Sequence, residues 1–194
     1  MTLALDRYSF QDYLQHSDGT DTRYELVQGE LVAMGQPQGI HGAIVDYLYD
    51  AFRTEIRSQQ QPWTVKQMAI AIPSPRGGRW ETARVPDLMV LAAEQWRAMR
   101  NREAVLYLNE PPPELVVEVV SDSTRSTDYR AKRVEYNILN ITEYWLVDPA
   151  AATVTVFQLV DELYESQQYQ GSEAIASQVF PELSLRVAEI LTAE

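Results

Sequence analysis

The chain has 194 residues, with 16 lysines and arginines against 28 aspartates and glutamates, for a formal net charge of −12. It has no cysteine and only two histidines, which excludes disulfides, thiol catalysis, iron–sulfur clusters and a histidine-rich zinc site together. Any bound metal must take mainly oxygen ligands, as Mg²⁺ or Mn²⁺ does, and the acidic balance counts against broad, non-specific attraction to nucleic acid without excluding a local basic groove.

Length and a hydrophobic content of 45% suit one domain spanning residues 1–194. Met1 to Phe10 holds no basic cluster followed by an apolar stretch, and no apolar run approaches the roughly 20 residues of a bilayer span. The cytoplasm is therefore the expected location. Ser9 is placed to cap a short helix ending near His16. Tyr24 to Val27 and Glu30 to Ala33, joined by Gln28-Gly29, predict a hairpin. Ile40, Ile44, Leu48, Phe52 and Ile56 recur every four residues, with Val45 widening the stripe, and predict an amphipathic helix.

Trp63 to Ile72 reads as one strand ended by Pro73 and Pro75, followed by a mobile loop from Ser74 to Glu81 around Gly77-Gly78. Val85 to Leu91 is the next strand, and Glu94 to Met99 reads as helical. Pro111 to Pro113 leads stiffly into Glu114 to Val120, apolar enough for a strand buried on both faces. Ser126 or Thr127 caps a helix running to about Leu139. Glu143 to Val147, Thr153 to Val160 and Leu163 to Gln170 form an antiparallel meander, and Val187 to Leu191 a closing helix. Together these predict an α+β domain with a mixed sheet flanked by helices.

Three residues break this pattern. Glu118 lies within Leu115 to Val120, a run otherwise all valine and leucine, and strand alternation puts it on the face of Val116 and Val120. A bare carboxylate there is costly and must meet a cation or take up a proton. Asp87 follows Pro86, a residue suited to a strand's first position, so it stands where a site can open. If the two strands are neighbours, the acids converge, and about 4 Å apart they repel by roughly 1 to 4 kcal/mol at effective dielectrics between water and ~20. A divalent ion turns that repulsion into binding. Lys132 is the third, sharing a helix face with Tyr129, Tyr136 and Leu139. It either snorkels to water or delivers its ammonium to a carboxylate.

Other polar residues are open to two accounts. Arg76, Arg79 and Arg84 cluster, as do Arg125, Arg130, Lys132 and Arg133, and either group is a nucleic-acid contact or plain solvated charge. His41, near the amino end of the long helix, is a phosphate or water contact or an ordinary capping residue. Ser121, Ser123 and Ser126 follow Glu118 with no histidine nearby, so a strand-to-helix loop explains them better than a nucleophile.

Taken in order, several segments resemble the Uma family of bacterial restriction-endonuclease-like proteins. They are the hairpin from Tyr24 to Glu30, His41 opening a helix, Val85 to Leu88, Pro113 to Ser121, Asp128 and Lys132 on a helix, and Glu143 to Pro149. The similarity runs from roughly residue 9 to residue 190. It implies a PD-(D/E)XK nuclease core, with Asp87 as the motif aspartate and Glu118 as the second acid. Val120 stands where that motif expects lysine, and the family's displaced lysine corresponds to Lys132. Glu25 matches a further acidic position.

The implied activity is DNA cleavage by a Mg²⁺- or Mn²⁺-dependent endonuclease. Asp87, Glu118 and the carbonyl of Val119 would hold the metal, Lys132 would stabilise the transition state, and Glu25 would assist. The competing account is a non-catalytic binding or accessory protein on a degenerate nuclease scaffold. A homodimer is also expected, formed through exposed meander edges bearing Tyr144, Trp145 and Phe157.

Overall fold

The computed structural model describes residues 7–74, 81–122 and 124–194. Ser9 caps α1 (Phe10–Gln15) and closes a reciprocal capping box with Asp12. The hairpin of β1 (Tyr24–Val27) and β2 (Glu30–Ala33) turns at Gln28 and Gly29, both at positive φ (51° and 78°), the conformation a two-residue turn requires. α2 (Gly39–Ser58) buries Ile44, Val45, Leu48, Phe52 and Ile56. Phe52 packs edge-on against Trp145 at 5.4 Å and stacks on Phe180 at 5.2 Å.

One stretch read as a single strand is divided between two sheets. β3 (Trp63–Gln67) stops at Met68, where φ is +42°, and the chain resumes as β4 (Ile72–Ser74) in the other sheet. Pro73 thus lies within β4 rather than ending a strand. The strand read from Val85 begins only at Leu88: β6 (Leu88–Ala92) is separated by Val85 to Asp87 from β5 (Thr82–Arg84), a strand of the other sheet not read from the sequence, since Pro86 has no N–H to give a ladder. The Gly77-Gly78 loop, Arg76 and Arg79 lie outside the described residues.

α3 (Ala93–Ala98) and a 3₁₀ turn (Met99–Asn101) lead to β7 (Leu115–Val119), buried on both faces. Next comes a π-helix (Thr127–Lys132) that passes into α4 (Arg133–Ile138). Neither Ser126 nor Thr127 caps it. Ser126 already has helical angles and makes no side-chain cap bond. The turn begins earlier, where the Ser121 and Thr124 hydroxyls meet at 2.9 Å. β8 (Glu143–Asp148), β9 (Thr153–Val160), β10 (Leu163–Gln170) and α5 (Val187–Leu191) complete the chain.

The strands make two sheets rather than one. A six-stranded sheet runs β10-β9-β8-β7-β6-β3, and a four-stranded sheet runs β2-β1-β5-β4. The larger is mixed: β7 and β8 are parallel and its other neighbours antiparallel. α2 and α5 cover one of its faces with a core that includes Leu48, Val90, Val117 and Trp145. The π-helix and α4 cover the other with Met89, Val116, Tyr136 and Tyr144. Tyr144, Trp145 and Phe157 are therefore interior, at 0%, 0% and 4% exposure, because β8 and β9 are not edge strands. They offer no dimer edge.

Two buried carboxylates pin segments to this sheet. Glu143 accepts hydrogen bonds from Trp145 Nε1 (2.5 Å), Ser177 Oγ (2.6 Å) and the backbone N–H of Gln178, fastening the C-terminal segment. Asp148, at the end of β8, accepts from Arg125 Nη2 (2.8 Å), Tyr129 Oη (2.8 Å) and the Ala151 N–H (2.9 Å). Burial alone would raise the Asp148 pKa, but these donors hold it below the ordinary 3.8. A carboxyl lowered on folding contributes stability that is present above its unfolded value and is lost as pH falls through the folded one. Asp148→Asn should therefore lower the thermal midpoint at pH 7 and flatten its decline as pH falls below the ordinary carboxyl value. Salt should shrink the difference, since the Arg125 side chain is 41% exposed. Parallel melting curves of the two proteins down that acid limb check it.

Candidate active site

The register of β6 on β7 pairs Leu88 with Val117 and Met89 with Val116. Continued by one residue, it sets Asp87 opposite Glu118. Asp87 therefore sits just before β6, at the junction of the two sheets, and Glu118 sits inside β7. The Val119 N–H donates to Asp87 Oδ2 at 2.7 Å, and His41 Nε2, from the first turn of α2, lies 3.0 Å from Oδ1. Strand, strand end and helix thus meet on one aspartate.

Glu118 is 3% exposed. Its Oε1 accepts from Tyr136 Oη at 2.5 Å and its Oε2 lies 2.8 Å from Lys132 Nζ. Lys132 does not snorkel: it is 4% exposed, with Nζ also 3.1 Å from Asp128 Oδ1 and 3.8 Å from Glu25 Oε1. Glu25 comes from β1 and is held by the Val85 N–H (3.0 Å) and Arg84 Nη1 (3.1 Å). Arg84 in turn forks onto Glu135 at 2.8 and 3.2 Å. Glu25, Glu118 and Lys132 belong to this one network, while Asp87, held by His41 and the Val119 N–H, lies across the strand register from Glu118.

Among the described residues, five carboxylates (Glu25, Asp87, Glu118, Asp128, Glu135) gather around the Lys132 ammonium, the Arg84 guanidinium and His41. Their crowding shows in the acidities. Burial, only partly opposed by Lys132, pushes the Glu118 carboxyl well above its usual range, and Asp87, Asp128 and Glu25 push it further. Burial likewise raises Asp128 against the pull of Lys132. Burial disfavours the Lys132 ammonium, but Glu118, Glu25 and Asp128 more than offset this and keep it protonated.

Among the described residues no three His, Cys, Asp or Glu side chains converge as a ready-made metal cage. The set still fits a hard cation. Asp87 and Glu118 present oxygen donors, and Asp128 Oδ1 is buried without an aligned hydrogen bond. Mg²⁺ is commonly held by one or two carboxylates while keeping several waters. Access is from one side: the side chains of Glu25, His41 and Asp87 are 15%, 14% and 10% exposed, whereas those of Glu118 and Asp128 are 4% and 1%. Pockets of about 310 and 340 Å³ elsewhere on the surface include none of the five acids.

Reading the residues alone left His41 undecided, gave Tyr136 only a place on an apolar stripe and passed over Glu135 and the role of Arg84. The spacing of Glu135, three residues after Lys132, was the available signal, though surface helices carry such acids routinely. Arg130 and Arg133 are exposed as expected, Arg133 resting over the Phe157 ring at 5.2 Å.

A mixed sheet with helices on both faces and acids at its centre defines the restriction-endonuclease-like fold. A solved structure of a putative nuclease belonging to DUF820, from Anabaena variabilis, superposes with a TM-score of 0.74 over 95% of this chain and 98% of that one, at 18% identity. The family model Uma2, described as putative restriction endonuclease, matches residues 10–188. This chain belongs to the Uma2 family. It is also 26% identical over 152 residues to the uncharacterized protein sll1609 of Synechocystis, covering 78% of this chain and 80% of that protein.

The raised Glu118 carboxyl has a consequence for stability. A carboxyl whose folded pKa lies above its unfolded one contributes stability that is complete below the unfolded value, near 4.5, and is lost as pH rises through the folded value. Glu118→Gln removes that loss. The metal-free variant should gain on wild type in thermal midpoint on going from pH 5 to pH 8, and an equal difference at both pH values would contradict the assignment.

Proposed function

We propose that this protein is a metal-dependent DNA endonuclease hydrolysing phosphodiester bonds at Asp87, Glu118 and Lys132. The observation that carries the reading is the Lys132 ammonium held 2.8 Å from Glu118, directly across the strand register from Asp87. The description of its family as putative restriction endonuclease supports the same reading, as does a structural relative described as a putative nuclease.

Asp87, Glu118 and the carbonyl of Val119 would hold Mg²⁺ or Mn²⁺, which supplies Lewis-acid polarisation of a phosphate oxygen and a more acidic water. The protein's own groups do the remaining work. Lys132 places a fixed positive charge, already desolvated, where negative charge gathers on the phosphoryl oxygens. His41 and the Val119 N–H fix the orientation of Asp87, so that no side-chain rotation is needed at the moment of reaction. Glu25 keeps Lys132 and Arg84 apart and in place, and being the most exposed of the three catalytic acids it can also hold a water.

One observation favours a second reading. Glu118 and both oxygens of Asp87 are already engaged by protein donors, as in a purely structural brace. A binding or accessory protein would then use the scaffold without chemistry. Plasmid nicking in Mn²⁺ or Mg²⁺, with calorimetry of Mn²⁺ binding, separates the two. Cleavage should require the metal and fall at least about 100-fold in Asp87→Ala, Glu118→Gln and Lys132→Ala. Unchanged cleavage by folded Glu118→Gln would sink the endonuclease.

A double-strand cut needs two such centres, and we place the second on another copy of this chain in a homodimer. Only monomer in equilibrium sedimentation at working concentrations would remove that part. A DNA substrate also assigns the protein to the cytoplasm; among the described residues no helix is long and apolar enough to cross a membrane.

A further inference from the structure

The anions around the Lys132 ammonium are not equivalent. Glu118 also accepts from Tyr136, and Glu25 from Arg84 and the Val85 N–H. Asp128 is 1% exposed, and its Oδ1 lies 3.1 Å from Nζ but off the hydrogen-bonding direction, so it makes an ion pair and no aligned hydrogen bond. A buried acceptor left this incomplete is unusual. It sits four residues before Lys132 on the same π-helix, a rare element often found at functional sites.

We propose that Asp128 is a second seat for the Lys132 ammonium, a positioning residue that keeps the lysine inside the site when Glu118 is engaged by a divalent cation. The cation part rests on the function proposed above; the seat itself does not. A cation on Glu118 weakens that carboxylate's hold on Nζ and adds repulsion. An ammonium left buried without an anion is costly, and lysine's flexible stem offers an exit to water.

Asp128 closes that exit. Its Oδ1 is 3.1 Å from an Nζ that is 2.8 Å from Glu118, so transfer between the two seats is a small shift. Glu25 is the poorer alternative, being farther away at 3.8 Å and shared with Arg84.

The chain has only two lysines, Lys66 and Lys132, which makes amine acetylation a clean probe. Full-length protein is treated briefly with acetic anhydride and both sites are read by peptide mass spectrometry, with Lys66 reporting any general unfolding. Without metal, Lys132 in Glu118→Gln should stay within about threefold of wild type, because Asp128 takes over. Adding Asp128→Asn to that variant should raise its rate at least about tenfold as the side chain opens to water. A tenfold rise in Glu118→Gln alone, or no further rise in the double variant, overturns the seat.

If the double variant does not fold, Asp128→Asn alone in saturating Mn²⁺ carries the test. Lys132 should become about tenfold more reactive than in Mn²⁺-loaded wild type, and equal protection overturns the proposal. Failure of wild type to bind Mn²⁺ in calorimetry overturns the metal reading, and the metal-free comparison still decides the seat.

Discussion

The structure is organised around one electrostatic constraint: a lysine ammonium and five carboxylates share the dry space between the central sheet and the helical segment above it. None of these groups is affordable alone. An isolated buried charge costs several kcal/mol even after relaxation, so each must be met by another charge or by an oriented N–H or O–H. The network from Glu135 through Arg84, Glu25 and Lys132 to Glu118 and Asp128 supplies those partners among the described residues. The divalent cation proposed for the site would add positive charge beside Asp87 and Glu118.

The architecture serves this constraint. Leaving β3 at Met68 and re-entering at β4, then returning through β5 to β6, carries Arg84 and Asp87 past the end of the central sheet within a few residues. The small sheet exists largely to bring Glu25 and Arg84 to that corner. α2 contributes His41 from the opposite face. Asp128 and Lys132, four residues apart on the π-helix, are both buried while Arg130 is exposed. Asp148 fastens this unusual turn to the end of β8 through Arg125 and Tyr129.

Stability and function pull in opposite directions here. Glu118 would be more comfortable neutral, and its ionised form is tolerated because Lys132 and Tyr136 meet it. Such ground-state discomfort is common where proteins hold reactive groups. The acidic net charge, which argues against long-range attraction to nucleic acid, leaves any encounter with a phosphate chain to local groups on the exposed side of Asp87 and His41.

Periodicity and punctuation alone determined much of this molecule. The α2 stripe, the glycine hairpin, the closing helix and the β9–β10 hairpin follow from local rules, because each depends on residues close in the chain. So did the suspicion attached to Glu118, Asp87 and Lys132, since a charge in an apolar run needs a partner wherever that partner lies. Local pattern could not say who the partners were. That Glu118 faces Asp87 depends on a strand register, and that Lys132 reaches Glu118, Asp128 and Glu25 rather than water depends on how its helix packs on the sheet. The division of one strand between two sheets, the burial of Tyr144, Trp145 and Phe157, and the pairing of Arg84 with Glu135 across 51 residues arise only when distant segments pack. Charges choose partners through space, and sequence order records only the chain that brings them there.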